Sequence, residues 1–255
     1  MTTAHNATRI ALFGFGTVGR ATFAILEREQ QLNVHMIVVR NKQKYLPNQN
    51  DEDVKALFVD DMTLALQRIK DVDVVIEVMG GTTAAWIVVQ SAILKGKVVV
   101  TANKALMSTY MHELNEMPTG KLYFEAAVAG GIPIVRSLLR DVQCFRAKGF
   151  GCDKVQGILN GTSNFILTKM SQDGVSYTQA LEEAQQLGYA EADPSADVLG
   201  WDARAKIHLL QRLCFGTTVP PNKIVCEGIT RIEPVDFEYA RRLGCKIKLV
   251  ATTEV

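Results

Sequence analysis

No apolar run in the chain approaches the roughly 18 residues needed to cross a bilayer, although 47% of its 255 residues are hydrophobic. A helical membrane span is therefore not expected. The five cysteines (Cys144, Cys152, Cys214, Cys226 and Cys245) are odd in number, scattered and without a CxxC pair. Neither a disulfide framework nor a thiolate metal site is indicated. The four histidines lack metal-ligand spacing. A net charge of +1 gives no general attraction to nucleic acid or to a membrane surface. The opening MTTAHNATRI lacks the charged and apolar regions of a secretory signal. A reducing, cytoplasmic setting without nucleic-acid or membrane partners is the expectation. One further absence is local: there is no Asp or Glu from Gln30 to Asn50.

What is present begins with RIALFGFGTVGRATFAILERE, which reads as strand, glycine turn and helix. Gly14, Gly16 and Gly19 hold the GxGxxG positions. The first permits a tight turn, the second lets backbone approach a pyrophosphate, and the third lets helix pack on strand. The helix that follows aims free N–H groups and its positive end at the phosphates. Because a strand precedes and a helix follows, GFGTVG is read as a dinucleotide-binding turn, formed by Gly14, Phe15, Gly16, Thr17, Val18 and Gly19.

The next strand, NVHMIVVR, ends at Arg40. An NAD-selective domain would place an acid about 20 residues after the glycines to accept from the ribose. This chain offers Arg40, Lys42 and Lys44 instead, cations suited to the additional phosphate of NADP; NADP is expected, with NAD possible. DVDVVIEVMGG and KVVVTANKAL are two further strands, separated by a helical pattern in TAAWIVVQSAILKG. Apolar strands alternating with helices imply a parallel sheet covered on both faces. Ligands of such sheets lie beyond the carboxyl ends of the strands, where Gly80, Asn103 and Lys104 fall. Lys104 is assigned to the nicotinamide side.

Further on, LNGTSNF reads as strand end, glycine turn and helix start, with Thr162 or Ser163 as cap. The stretch GYAEADPSADVLGWDARAKI concentrates carboxylates before a lysine. DARAKIHLLQRLC has helical spacing, which puts Asp202 and Lys206 four apart on one face. Asp202 falls in the first turn, where it favours the dipole and can cap the helix. Asp193, before Pro194, is a turn residue, and His208 is packed or on the surface, on another face from Lys206. A domain boundary near Thr119–Gly120 gives units 1–120 and 121–255. The fold class is α/β: a Rossmann-type parallel-sheet domain followed by an α+β substrate and dimerisation domain.

Five blocks, GFGTVG, VTANKAL, EAAVAGGIPI, GILNGTSNFILTKM and GYAEADPSADVLGWDARAKI, occur in this order and at these spacings in homoserine dehydrogenases, and the chain resembles that family from about Ile10 onward. The resemblance implies reversible NAD(P)-dependent reduction of L-aspartate 4-semialdehyde to L-homoserine, feeding threonine, methionine and isoleucine synthesis. It implies Lys206 as catalytic proton donor and Lys104 as a second active-site lysine. Glu191, Asp197 and Asp202 are implied at the amino-acid substrate, and Glu125 with the carbonyls of Val128, Gly130 and Ile132 at a monovalent cation such as sodium. A homodimer through the second domain's sheet is implied as well.

Hydride transfer to an aldehyde develops negative charge on oxygen, so a positioned ammonium lowers the barrier as cation and proton source. The substrate's own ammonium needs carboxylates. Family members continue beyond the point matching Val255, with further strands and a return helix. KIKLVATTEV is therefore expected to present an edge that pairs, and a truncated, non-catalytic NADP-binding or dimerising homologue is the alternative. An acylating aldehyde dehydrogenase is disfavoured, since no cysteine stands where its nucleophile would be.

Overall fold

Strand β1 (Thr8–Phe13) turns Ala11 and Phe13 to one face and Ile10 and Leu12 to the other, and all four are at most 2% exposed in this computed structural model. The structure describes residues 7–46, 51–110, 113, 117, 122–147, 151–216 and 219–254. Successive strand residues point to opposite faces, so a strand apolar throughout needs cover on both sides. The chain divides into two units, Met1–Gly130 and Gly131–Val255. The boundary expected near Thr119–Gly120 lies outside the described residues.

In the first unit β1 is joined by β2 (Leu32–Val38), β3 (Phe58–Val59), β4 (Val74–Glu77), β5 (Val98–Thr101) and β6 (Leu122–Tyr123). They form one sheet of order β3-β2-β1-β4-β5-β6 in which every neighbour is parallel. This is the doubly wound Rossmann order, whose direction of progression reverses between β1 and β4. Helices α1 (Thr17–Leu26), α2 (Glu52–Ala56), α3 (Met62–Arg68), α4 (Thr83–Leu94) and α5 (Lys104–Thr109) connect the strands. On α4 the buried residues Ala85, Val88, Val89, Ala92 and Ile93 follow the spacing of one helical face. One core cluster gathers Ala11, Phe13, Val75 and Val99 beneath α4, and the other gathers Ile10, Leu12, Ile37 and Phe23 of α1.

Strand β6 is short, covering only Leu122–Tyr123 among the described residues. Phe124 leaves extended geometry (φ −138°, ψ 29°) and Glu125–Ala127 form a 3₁₀ turn, so the backbone has left the ladder.

The second unit is mainly helical, with α6 (Ile134–Ala147), α7 (Gly161–Asp173), α8 (Tyr177–Gln186), α9 (Ser195–Val198), α10 (Trp201–Phe215) and α11 (Pro234–Arg242). Strand β7 (Lys154–Gly157) pairs antiparallel with β8 (Ala251–Glu254), Gly157 opposite Ala251. KIKLVATTEV thus enters a sheet only in its last residues. Gly174, left-handed at φ 67°, ends α7, and a Ser176–Gln179 capping box starts α8. The core of this unit joins Ile166, Leu167 and Met170 of α7 to Ala180 and Ala184 of α8 and Phe237 of α11.

Candidate functional site

At the carboxyl ends of β1, β2 and β4 the first unit opens into a cavity of about 540 Å³, lined by Gly14, Phe15, Gly16, Arg40, Lys44 and Gly80 among others. The glycines divide the work of shaping it. Gly14 has φ 102°, and a Cβ there would stand 2.5 Å from the carbonyl oxygen of Val78. A Cβ on Gly19 would collide with the carbonyl oxygen of Gly14. Gly16 meets nothing within 4 Å, so the space beside it is open to a ligand. Gly16 is also the N-cap of α1, with no capping side chain and no acid in the first turn. A helix start of that kind presents backbone N–H donors and a positive end to an anion. The residues fit the pyrophosphate of a dinucleotide.

Beneath the turn, Phe15 packs edge-on to Phe58 (centroids 5.1 Å apart), Phe23 and Tyr45 (both 5.6 Å). At the far end of the cavity Arg40 is exposed. An acid absent from the Gln30–Asn50 stretch arrives here from elsewhere: Asp60, which also lines the cavity and pairs with Lys42 at 3.3 Å. Burial works against the charged form of Asp60, but its hydrogen bonds to Lys42 and the charge of that lysine prevail and hold the carboxyl below its ordinary range.

Between the ends of β4 and β5 lies Glu77, which is fully buried. It accepts from the Thr101 hydroxyl (2.6 Å), the Met79 N–H (2.9 Å) and the Asn103 amide (3.4 Å). Asn103 also donates to the Gly81 carbonyl at 2.6 Å and caps α5 by accepting from the Leu106 N–H at 3.0 Å. The turn that carries Lys104 is thereby fixed to the strand ends.

In the second unit a polar cluster forms where β7 hands over to α7. Asn160, 4% exposed, caps α7 by accepting from the Ser163 N–H at 2.8 Å. Its amide donates to Asp197 at 2.6 Å and to Asp202 at 2.9 Å. The same oxygen of Asp202, Oδ2, takes the ammonium of Lys206 at 2.7 Å, and Lys206 also donates to the Leu159 carbonyl at 2.8 Å. Asp202 is 3% exposed. Lys206 is part-buried, with 16% of its side chain exposed. The Ser163 hydroxyl donates to the backbone carbonyl of Asp197 at 2.8 Å, fixing α9 to α7. This arrangement can hold a cation and deliver a proton.

Models of known families cover nearly all of the chain. The homoserine dehydrogenase NAD-binding domain matches residues 14–121, and the homoserine dehydrogenase model matches residues 133–255. The chain belongs to the homoserine dehydrogenase family. The homoserine dehydrogenase of Corynebacterium glutamicum is 41% identical over 98% of this chain. The solved homoserine dehydrogenase of Thiobacillus denitrificans superposes with a TM-score of 0.84 at 35% identity over 98% of this chain. A hyperthermophilic archaeal homoserine dehydrogenase solved in complex with NADPH gives a TM-score of 0.76 at 27% identity, over 97% of this chain and 79% of its own. The chain spans 56% of the length of the Corynebacterium relative and 58% of the Thiobacillus structure.

Within this chain the sequence-predicted residues fall unevenly. Gly14, Phe15, Gly16, Arg40 and Gly80 line the cavity. Thr17 and Val18 open α1, and Gly19 packs under the turn. Asn103 is turned inward to Glu77, Gly81 and its own helix. Asp197, Asp202 and Lys206 come together in the second unit, while the Glu191 side chain is exposed and its carbonyl is held by Gln185 at 3.1 Å. Glu125, Val128 and Gly130 end the first unit, with Ala129 and Gly130 successively left-handed (φ 57° and 59°). Ile132 is the second residue of the second unit, and its carbonyl already accepts from the Ile134 N–H at 2.8 Å.

Two cap assignments change. Asn160, not Thr162 or Ser163, caps α7; Thr162 instead donates to the Tyr189 carbonyl at 2.8 Å. The N-cap of α10 is Gly200, at φ 80°, and the Asp202 carboxylate turns to Asn160 and Lys206. Asp193 makes the expected turn, accepting from the Ser195 hydroxyl and N–H, which hold its carboxyl below the usual range. His208 is buried, and burial followed by the charge of Arg212 pushes its imidazole below the ordinary value.

Sequence reasoning missed Asn160, Glu77 and Asp60. Asn-Gly reads as a turn, and a single Glu in an apolar run has no periodicity to betray it. Asp60 follows a two-residue strand too short to register.

Proposed function

We propose that this chain catalyses the reversible reduction of L-aspartate 4-semialdehyde to L-homoserine, preferring NADPH and tolerating NADH. The observation that carries this reading is the cluster Asn160, Asp197, Asp202 and Lys206, which sets an ammonium donor among carboxylates beside a helix start. Bound NADPH would supply the hydride. Gly14, Phe15, Gly16, Thr17, Val18, Gly19 and Gly80 would hold its pyrophosphate end. Arg40, with Lys44 nearby, would face the additional phosphate. Lys104 and Asn103 would stand at the nicotinamide end.

Lys206 protonates the developing alkoxide, and two of its three N–H donors are already directed by Asp202 and Leu159. An ammonium oriented before reaction stabilises the new charge without reorganising. Lys104 is the second lysine of the site. Glu191, Asp197 and Asp202 receive the substrate's ammonium, and the exposed Glu191 has its side chain available for that task. A monovalent cation such as sodium would take the Glu125 carboxylate and the carbonyls of Val128, Gly130 and Ile132. The paired left-handed residues Ala129 and Gly130 suit carbonyls curled around a hard ion.

The proposed setting is cytoplasmic, in threonine, methionine and isoleucine synthesis, as a homodimer joined through the second unit. Among the described residues no helix is long and apolar enough to cross a membrane.

The test is absorbance of reduced nicotinamide when the purified protein meets L-homoserine with NADP or NAD. Turnover with both, faster per unit concentration with NADP, is expected. A protein that binds NADPH but turns over neither pair would refute the catalytic reading and favour the non-catalytic homologue.

A further inference from the structure

We infer that Asn160 is the positioning residue of the substrate end of the site, the group that sets the distance between Asp197, Asp202 and Lys206. The inference rests on the reading of those three residues given above. Asn160 touches neither substrate nor cofactor in that reading; it acts through others.

The geometry uses the whole amide. The oxygen is committed to the first turn of α7 through the Ser163 N–H at 2.8 Å. That bond fixes the plane of the side chain and aims the NH₂ group away from the helix. Its two hydrogens then serve two carboxylates from different elements, Asp197 on α9 at 2.6 Å and Asp202 on α10 at 2.9 Å. Hydrogen bonds to charged acceptors are the stronger kind; the one to Asp202 is nearly closed off from water, with Asn160 at 4% and Asp202 at 3% exposure, and the one to Asp197 is part-buried. Asp202 Oδ2 receives both Asn160 and Lys206, while the carbonyl of Leu159, the neighbour of Asn160, receives Lys206 a second time at 2.8 Å. One dipeptide, Leu159–Asn160, therefore places all three charged groups.

The residue type follows from these demands. An Asp here would cap α7 as well but would put a third carboxylate against two others and remove their shared donor. A Ser would cap the helix and leave both carboxylates without the amide. Only a side chain with one acceptor and two donors on a short stem meets all three contacts. The charged groups facing Asn160 are Asp197 from α9 and Asp202 and Lys206 from α10. Carboxylates brought together without a donor between them bind a proton more readily.

Two variants separate positioning from capping: Asn160→Asp and Asn160→Ser, both keeping a good N-cap. Three quantities are read on the full chain. They are the NADPH dissociation constant, kcat and KM for L-homoserine across pH, and the ¹³C titration of Asp carboxyl carbons, assigned with Asp197→Asn and Asp202→Asn. We expect NADPH binding within about twofold of the parent in both variants, since the amide lies in the other unit from the glycine turn. In Asn160→Ser, kcat/KM for homoserine should fall roughly ten- to a hundredfold, the value of one or two hydrogen bonds to charged acceptors.

In Asn160→Asp the fall should be larger, the acidic limb of the kcat/KM profile should move to higher pH, and the Asp197 and Asp202 signals should titrate higher. Unchanged titration of Asp197 and Asp202 in Asn160→Asp would overturn the inference, whatever the rates. So would variants of lowered melting temperature whose homoserine kinetics match the parent. A parent without turnover would defeat the functional reading alone, because the carboxyl titration still decides the role of Asn160.

Discussion

The glycine turn of the first unit and the carboxylate–lysine cluster of the second are built on opposite plans. The turn is made of backbone: Gly14 and Gly19 are packed so closely that a Cβ has no room, and Gly16 faces open space. Its contribution to binding comes from N–H groups that any sequence possesses once the chain takes that path. The cluster is made of side chains whose positions depend on one another across as many as 42 residues of sequence, the separation of Asn160 and Asp202. A site of the first kind fails when a side chain is added, and one of the second kind when a side chain is removed.

That contrast can be broken most forcefully from the second side. Asp202→Ala strips Lys206 and Asn160 of a buried carboxylate, and loss of one partner from a buried pair costs about 3–5 kcal/mol. Urea unfolding followed by a probe in the second unit should show it, with Asp202→Asn, which loses the charge but keeps an acceptor oxygen and the volume, affected somewhat less. The counterpart in the first unit is Gly14→Ala, where left-handed strain and the clash with Val78 together should cost about 3 kcal/mol or more. Gly16→Val is the complementary case. It should leave the unfolding midpoint nearly unchanged but weaken NADPH binding roughly tenfold or more, since it would cover the helix start proposed to receive phosphate. Equal damage to stability from both glycine substitutions would contradict the division of roles. A smaller effect is expected of Arg40→Ala, a loss of roughly tenfold in NADP affinity with NAD affinity retained; titration with each cofactor checks it.

The two units also differ in what acid does to them. In the first, the Arg9 side chain donates to Asp73 and lowers its carboxyl to about 2. The native state is thus favoured fully above the unfolded value near 4, and that advantage is lost as pH falls toward 2. Both side chains are 47% exposed, so solvent screening limits the effect to about 1 kcal/mol or less. In the second, buried His208 is held neutral. A depressed imidazole gives stability that is present above the unfolded value near 6.5 and declines as pH falls below it. Hydrogen exchange at pH 7 and pH 5 should therefore show the second unit loosening first, and His208→Gln should remove the difference.

The contrast also explains how much could be read in advance. The Rossmann sheet was legible because β1, the glycine turn and α1 are contiguous, and because β1, β4 and β5 carry the apolar runs Ile10–Phe13, Val74–Ile76 and Val98–Val100. Asp202 and Lys206 were legible as a pair because four residues of helix join them. Asn160 was not, since its partners lie 37 and 42 residues away and no local period encodes such a contact. The Asn-Gly pair also favoured a turn, whereas Gly161 is already helical. Asp60 escaped for a similar reason: the two-residue strand β3 brings it beside Lys42, into the region where the sequence itself has no acid.

The central claim is that the first unit binds the cofactor while the second supplies the proton through Lys206. The most direct measurement is the NADPH dissociation constant and the homoserine turnover of Lys206→Ala, taken on the same preparation. The account predicts a dissociation constant within about twofold of the parent, with turnover lowered by roughly a hundredfold or more, the usual contribution of a positioned acid. Turnover equal to the parent's, or NADPH binding lost in step with turnover, would contradict it.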